Sequence, residues 1–463
     1  MTEKLVVIGG DAAGMSAAAQ ARRLRGVDDL QIVAFERGST TSYAACGIPY
    51  WVAGLVDERD DLIARSAEEF RERHDIDARV HHEVRSIDLE ARTVEVVDLA
   101  ADRTFTEGFD QLLIATGARP LRPPIEGIDA DGVFGIQTLD DGQRVLDALA
   151  DRDPRTAVII GAGYIGIEMA EAMCLRGLTV HVVDVADQPM TTLDADMGEM
   201  VADAMRGMDM HLHLGAPVES IRTGADGWAT GVVTPDGTID ADLVILGTGT
   251  RPDSRLAEEA GVPIGPTGGV VTDRAQRTPV DGVWSAGDCA QTFHRVTGLP
   301  VAIALGTIAN KQGRIAGLRI GGSIGTFPGV LGTAVTKVCG LEIARTGLGE
   351  SQAREAGFSP VSATTTSRTR AHYYPDATPI TIKIVAERVT GRLLGAQIVG
   401  EQGAAKRIDV LATAIWNGMD VEDLSQVDLS YAPPFSPVWD PVLMAARQAA
   451  SAVVDDVAGT VDD

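Results

Sequence analysis

Two segments of this chain start as a short apolar strand, enter a glycine turn and continue as a helix. The first reads KLVVIGGDAAGMSAAAQARRLRG and the second AVIIGAGYIGIEMAEAMCLRGLTVHVVDVAD. Such a turn leaves free N–H groups and the positive end of a helix dipole facing a pyrophosphate. In the second copy Gly161, Gly163 and Gly166 complete G-x-G-x-x-G, and the following strand ends at Asp184. In the first, Gly9 and Gly14 hold the outer glycine positions, but Asp11 stands in the middle one. A carboxylate there is unfavourable beside a pyrophosphate unless it points away. The next strand, LQIVAFE, ends at Glu36, an acid suited to accepting hydrogen bonds from ribose hydroxyls. One such turn is a weak signal; the ordered set that follows is far more specific.

At 463 residues the chain suggests about three domains. Apolar content of 45% and 51 glycines suit a globular protein with many tight turns. A net charge of −26 argues against nucleic acid or an acidic membrane surface as partner. Only five of the 40 basic residues are lysine, a bias that fits either a G+C-rich genome or a salt-adapted host. The four cysteines, Cys46, Cys174, Cys289 and Cys339, show neither metal-ligand spacing nor a disulfide framework, so no metal is expected. The N-terminus has no charged leader, and no run of 18 apolar residues occurs, so the expectation is a cytoplasmic protein without a membrane span. Residues 451–463, SAVVDDVAGTVDD, read as a frayed acidic tail.

Three further segments complete the pattern. DQLLIATGARP ends a strand in Ala115-Thr116-Gly117, LVILGTGTRP repeats the theme at Gly247 and Gly249, and TPVDGVWSAGDCAQ ends in Gly287-Asp288. With these in order, the chain resembles the flavoprotein pyridine nucleotide–disulfide oxidoreductases over nearly its whole length. The resemblance implies an α/β fold with two Rossmann-like dinucleotide-binding domains, one for FAD and one for NADH, plus a C-terminal α+β dimerisation domain. The FAD domain would be discontinuous, 1–120 with 245–325, around an NADH domain at 121–244, with dimerisation at 326–450. Gly9, Gly14 and Glu36 would hold the adenosine end of FAD, and Asp288 its ribityl chain. Gly161, Gly163, Gly166 and Asp184 would hold NADH, with Arg37, Thr116, Gly117, Glu168 and Gly249 completing the cofactor set. No arginine or lysine follows Asp184 in VADQPM, so NADH is expected over NADPH, whose 2′-phosphate the carboxylate repels.

After Gly325 the text alternates like antiparallel strands in FPGVLGTAVTKVCGLEIARTGLGESQAREAGF and ITIKIVAERVTGRLLGAQIVG, then turns helical in AAKRIDVLATAIWNGM. The family places its dimerisation domain here, and the partner of a homodimer completes each active site. A helix-rich lid or an independent binding module is the alternative.

Cys46 lies in SYAACGIPYWVAG without a C-x4-C partner, since Thr41 and Trp51 stand five residues to either side. It opens a helix, a place that favours the thiolate and lowers a cysteine pKa to roughly 3.5–7.5. The resemblance sets Cys46 against the flavin and leaves the other three cysteines structural. A lone cysteine there either holds an external thiol as a mixed disulfide or cycles through sulfenic acid. The family holds both kinds: coenzyme A-disulfide reductases, and NADH oxidases and peroxidases. Ala12 stands where the oxidase and peroxidase branch carries histidine, and CGIPY and DLSYAPPFSPVWDPVLMA resemble the disulfide reductases. Ala45 departs from that branch's asparagine before the cysteine. No histidine follows His372, so the resemblance points to Tyr431, and to Tyr373 or Tyr374, as partner-chain phenols beside the leaving thiol. Ser42 and Arg23, with Arg22 and Arg25 on the same helix, are the candidate substrate contacts, the arginines serving either a polyanionic thiol or a solvated helix face. The expected activity carries electrons from NADH through FAD and Cys46 to a low-molecular-weight disulfide such as coenzyme A disulfide. The alternatives are an NADH oxidase or peroxidase, a persulfide or polysulfide reductase, and a non-enzymatic flavin redox sensor.

Overall fold

The computed structural model describes residues 2–459. The strand Glu3–Ile8 lies in the middle of a parallel sheet, in the order Val283–Ser285, Gln111–Ile114, Glu3–Ile8, Leu30–Phe35, Asp77–Arg79. Its residues are apolar without alternation because both faces are covered. Leu5 and Val7 face the helices Ala12–Leu24 and Gly306–Ile320. Val6 and Ile8 face an antiparallel layer formed by His82–Asp88, Thr93–Asp98 and Arg103–Gly108. The alanine-rich composition of the first helix follows from its neighbour: a Cβ on Gly313 would come within 2.2 Å of the Ala13 carbonyl, and one on Gly317 within 2.3 Å of that of Ala17. Larger side chains would force the two helices apart.

A second parallel sheet repeats the plan in the order His211–His213, Thr179–Val183, Thr156–Ile160, Leu243–Leu246, Val133–Gly135. The strand Leu243–Leu246 stays in register with Ala157–Ile160 throughout, so the second nucleotide unit extends past residue 244. The chain crosses between the units through an antiparallel pair, Ala118–Pro120 with Thr250–Pro252.

The third unit is an antiparallel sheet, Ala334–Val338, Leu341–Gly347, Leu393–Gly400, Pro379–Glu387, Pro360–Arg368, backed by Ile408–Trp416 and Pro441–Gly459. The acidic tail expected at 451–463 is corrected here. Residues 451–459 continue the last helix, whose Val442, Ala445, Ala446 and Ala449 bury against the sheet at helical spacing; residues 460–463 lie outside the described part. No described helix is long and apolar enough to cross a membrane, and the described residues contain no group of side chains suited to a metal ion.

One buried cation fastens the third unit to the second. The Lys383 ammonium, in a side chain only 7% exposed, lies 3.3 Å from Asp194, 2.8 Å from Asp196 and 2.9 Å from Glu350. Asp194 also accepts from the Glu350 N–H, and its own N–H donates to Gln397. Burial opposes charge on Glu350, yet the bonds from Lys383, Ser362 and Arg354 hold its carboxyl down at about 2. A carboxyl held below its usual 4.5 lends stability that is present above that value and is lost as pH falls from there toward about 2. Lys383→Ala strands these carboxylates, and thermal or urea unfolding at pH 7 should show a loss of about 3 kcal/mol. The deficit should shrink as the pH is taken from 5 toward 2.5; a deficit constant across that range would show that the lysine acts by packing alone.

Candidate active site

The two glycine turns are built alike. Gly9 has φ +108°, and a Cβ there would lie 2.1 Å from the Ala115 carbonyl; Gly161 has φ +101°, with the Gly247 carbonyl at 2.4 Å. Each is thus fixed by the residue that follows the neighbouring sheet strand, Gln111–Ile114 or Leu243–Leu246. The acids that follow also repeat one geometry. Glu36 accepts from the N–H of Gly10 and of Gly38, both at 2.7 Å. Asp184 accepts from Ala162 at 2.6 Å and Ala186 at 2.8 Å. Each carboxylate brackets its glycine turn to the loop after the second strand, and its free lone pairs remain available to ribose hydroxyls.

Asp11, the residue out of place in the first turn, faces away from the helix it caps. Its side chain makes no capping bond to that helix, and it accepts from the Tyr43 N–H at 3.1 Å. Ser42, at φ +46°, donates its N–H to the Gly10 carbonyl, so the loop that carries Cys46 is pinned twice to the glycine turn. Burial pushes the Asp11 carboxyl up to about 6, with Glu36 and Asp288 adding repulsion against the Tyr43 bond. Asp288 is likewise raised to about 6 by burial, and its Oδ1 has no hydrogen-bond partner. Close by, Gln312 accepts from the Gly287 N–H at 2.8 Å, while its buried Nε2 is unpartnered. An unpaired acceptor and an unpaired donor next to a glycine turn suit the polar chain of a flavin dinucleotide. The residues present fit FAD. Thr116 instead donates to the Asp253 carbonyl at 2.5 Å, so its hydroxyl serves the crossover, beside Gly117 and Gly249 at φ +74° and +88°.

Cys46 is exposed as a residue while its sulfur is partly enclosed, in a short turn of helix, Ala45–Gly47, that leads into Ile48–Ala53. The expected thiolate-stabilising setting is corrected by its surroundings. Burial of the sulfur pushes its pKa up, and the Glu168, Asp288 and Asp11 carboxyls push it further, outweighing its own backbone bond. Six residues of helix supply too little dipole to offset three acids. Glu168 comes from Tyr164–Leu175, the helix of the second glycine turn, which packs on Ile48–Ala53. Its carboxylate accepts from the Thr336 hydroxyl, in the third unit, at 2.5 Å. Thr336 was not legible in the sequence, since no motif marks it.

The remaining candidates separate. Arg23 is exposed in the last turn of its helix, roughly 18 Å along the axis from Asp11. Arg22 is spent on the carbonyls of Arg25, Leu30 and Asp75, and Arg25 pairs with Glu3, so those two serve the fold. Arg37 is exposed beside Glu36. Cys289 is fully buried against Ser285 and the Ile114 carbonyl. Cys174 and Cys339 are half-buried neighbours beside Glu171. Tyr431 and Tyr373 are 47% and 66% exposed and share a hydrogen bond that raises the Tyr431 phenol. Phe435, Val438 and Trp439, close by in sequence, are exposed as well.

The chain is 39% identical over 446 residues to the NAD(P)H sulfur oxidoreductase (CoA-dependent) of Pyrococcus furiosus, covering 96% of this chain and 98% of that one. It is 35% identical to the NADH oxidase of Methanocaldococcus jannaschii over 96% and 98% of the two chains. The solved structure of reduced Bacillus anthracis CoADR-RHD superposes with a TM-score of 0.94 at 35% identity, over 98% of this chain and 81% of that one. Residues 3–313 match the model of the pyridine nucleotide-disulphide oxidoreductases and residues 333–441 that of their dimerisation domain, and the chain belongs to this family.

Proposed function

We propose that the protein is a homodimeric, FAD-dependent reductase that uses NADH to cleave a low-molecular-weight disulfide of the coenzyme A class through Cys46. The observation that carries this reading is an exposed, solitary thiol held at the meeting of the two nucleotide units, while Cys289 is buried and Cys174 and Cys339 lie beside Glu171 instead. When bound, FAD would supply the two-electron redox chemistry that links the nicotinamide to sulfur. Gly9, Gly14, Glu36, Asp288 and Gln312 would hold it, and Gly161, Gly163, Gly166 and Asp184 would hold the nicotinamide dinucleotide.

The work of the chain is then thiol exchange. The Cys46 thiolate attacks one sulfur of the substrate, forming a mixed disulfide and expelling one thiolate. Two electrons and protons release the second thiol and restore Cys46, so one NADH is consumed for each S–S bond broken. Tyr431 and Tyr373 of the partner subunit stand as donors to the departing thiolate, a role a phenol can fill. Arg23 is the remaining cation on its helix for the distant phosphates of an extended thiol, and Ser42 is the candidate polar contact from the loop that carries Cys46. The NADH oxidase relative gives weight to a second reading, peroxide or oxygen reduction through a Cys46 sulfenic acid.

The test is anaerobic NADH oxidation with a panel of disulfides. Cys46→Ser should keep bound FAD and NADH binding but lose disulfide reduction. Protein isolated without reductant should carry a small thiol on Cys46 that NADH removes. Parent-level disulfide reduction by Cys46→Ser would refute the reading, and turnover confined to oxygen or peroxide would favour the second. Tyr431→Phe should slow disulfide turnover about tenfold or more while flavin reduction by NADH stays near the parent rate; equal slowing of both would make it a packing residue. The parent should favour NADH over NADPH by roughly one to two decades in kcat/KM, and Asp184→Ala should narrow that gap. Equal use of the two cofactors by the parent would exclude Asp184 as the selector.

A further inference from the structure

Three histidines stack at the outer edge of the second nucleotide sheet. His181, in Thr179–Val183, is in register with Val158 on one side and His211 on the other. Its ring centre lies 4.6 Å from that of His211 and 5.3 Å from that of His213, with the planes inclined by 25° and 21°. Its Nδ1 is 3.0 Å from His213 Nε2, a hydrogen bond that needs one of the two nitrogens unprotonated. The same edge holds the acid assigned to the dinucleotide. The His213 carbonyl accepts from the Asp184 N–H at 3.0 Å. Gly215 donates to the Ala186 carbonyl and Ala216 to the Asp184 carbonyl, both at 2.9 Å. We propose that the histidine stack is an acid-sensitive clasp on Asp184: neutral rings hold the edge strand His211–His213 against it, and protonation frees that strand and weakens dinucleotide binding. This rests on the reading of Asp184 as the acid that holds the nicotinamide dinucleotide.

The groups around the stack set the sign. By register, His181, His211 and His213 share a face with Val158, Ile160 and Val183, and the antiparallel sheet Ser220–Thr223, Ala229–Thr234, Gly237–Asp240 covers that face. These strand neighbours are apolar, and the covering sheet brings the Asp236 carboxylate, in its hairpin turn, to bear on His213. The helix Ala195–Gly207 packs on the opposite face, in the core that holds Met205 and Leu212, and its Arg206 pairs with Glu199 and Asp203. Burial, then His211 and His213, pulls His181 down to about 4. Burial and His211 pull His213 down as well, with Asp236 opposing. A histidine held below its usual 6.5 lends stability that is present above that value and is lost as pH falls from there toward about 4. Parting the stack takes up protons, so its opening grows by about tenfold per pH unit below 6.5 for each histidine released.

The experiment follows amide hydrogen exchange by mass spectrometry on FAD-loaded protein, in peptides covering 179–186 and 209–216, from pH 7.5 to 5. NAD+ affinity is measured by calorimetry under the same conditions. After correction for intrinsic exchange, protection of both peptides in the parent should fall about tenfold or more between pH 6.5 and 5, and NAD+ should bind about threefold more weakly or worse. His181→Asn and His213→Gln each keep an amide near the ring nitrogen they replace and cannot titrate. Either should cut both losses to less than half. Parent protection that stays constant over this range overturns the proposal. So do losses that both variants keep in full, and so does a loss of protection with NAD+ affinity unchanged. Exchange at the edge strand does not depend on what Asp184 binds. An Asp184→Ala protein that kept the parent's preference for NADH would therefore sink the reading of Asp184 separately.

Discussion

The contact between the helices Ile48–Ala53 and Tyr164–Leu175 is the one on which the surroundings of Cys46 depend. It joins the loop of the first nucleotide unit to the helix of the second, and its packing is apolar: Ile48, Trp51 and Val52 share one core with Ile167, Ala170 and Met173. The Arg176 guanidinium closes the far end by donating to the Val52 carbonyl at 2.6 Å. Gly142 admits the thiol helix from the other side, since a Cβ there would lie 2.8 Å from Ile48 and 3.0 Å from Trp51. A displacement of this seam would move the sulfur relative to both nucleotide turns at once.

Around that seam the chain concentrates negative charge. Asp11, Glu36, Asp288 and Glu168 converge on the region, in a protein with 26 more acidic than basic residues. Two of the carboxyls are held near 6 by burial. Such a cluster would be costly if every member were ionised and unpaired. Backbone N–H groups satisfy Glu36 and part of Asp11, and a hydroxyl satisfies Glu168, so the unpaired remainder falls on Asp288. That unpartnered oxygen is free to accept from a hydroxyl of a bound cofactor.

Much of this was legible in the sequence because it is local. The strand, turn and helix of each nucleotide unit follow from apolar runs broken by glycine, and the acids at 36 and 184 follow from where the second strands end. What was not legible depends on tertiary approach. Asp11 looks like a defect until Tyr43 is seen to use it. Arg23, expected as a substrate contact, is carried by a helix of 13 residues to the end opposite the glycine turn. The thiolate setting expected for Cys46 is opposed first by burial of the sulfur and then by acids that come from three separate stretches of chain. Thr336 meets Glu168 across 168 residues of sequence, a separation no motif spans. The last helix was cut short at 450 because SAVVDD reads as acidic text, although its apolar spacing continues that of the preceding turns.

The bracket that Glu36 and Asp184 each make has a consequence for how the nucleotides arrive. Both glycine turns are tied to their neighbouring loops by charge-assisted bonds within the protein itself. The ligand thus meets a surface already in its binding shape, and little backbone entropy remains to be lost on association. A dinucleotide exchanging at the second turn would then dock on, and leave, a turn already tied in place by Asp184.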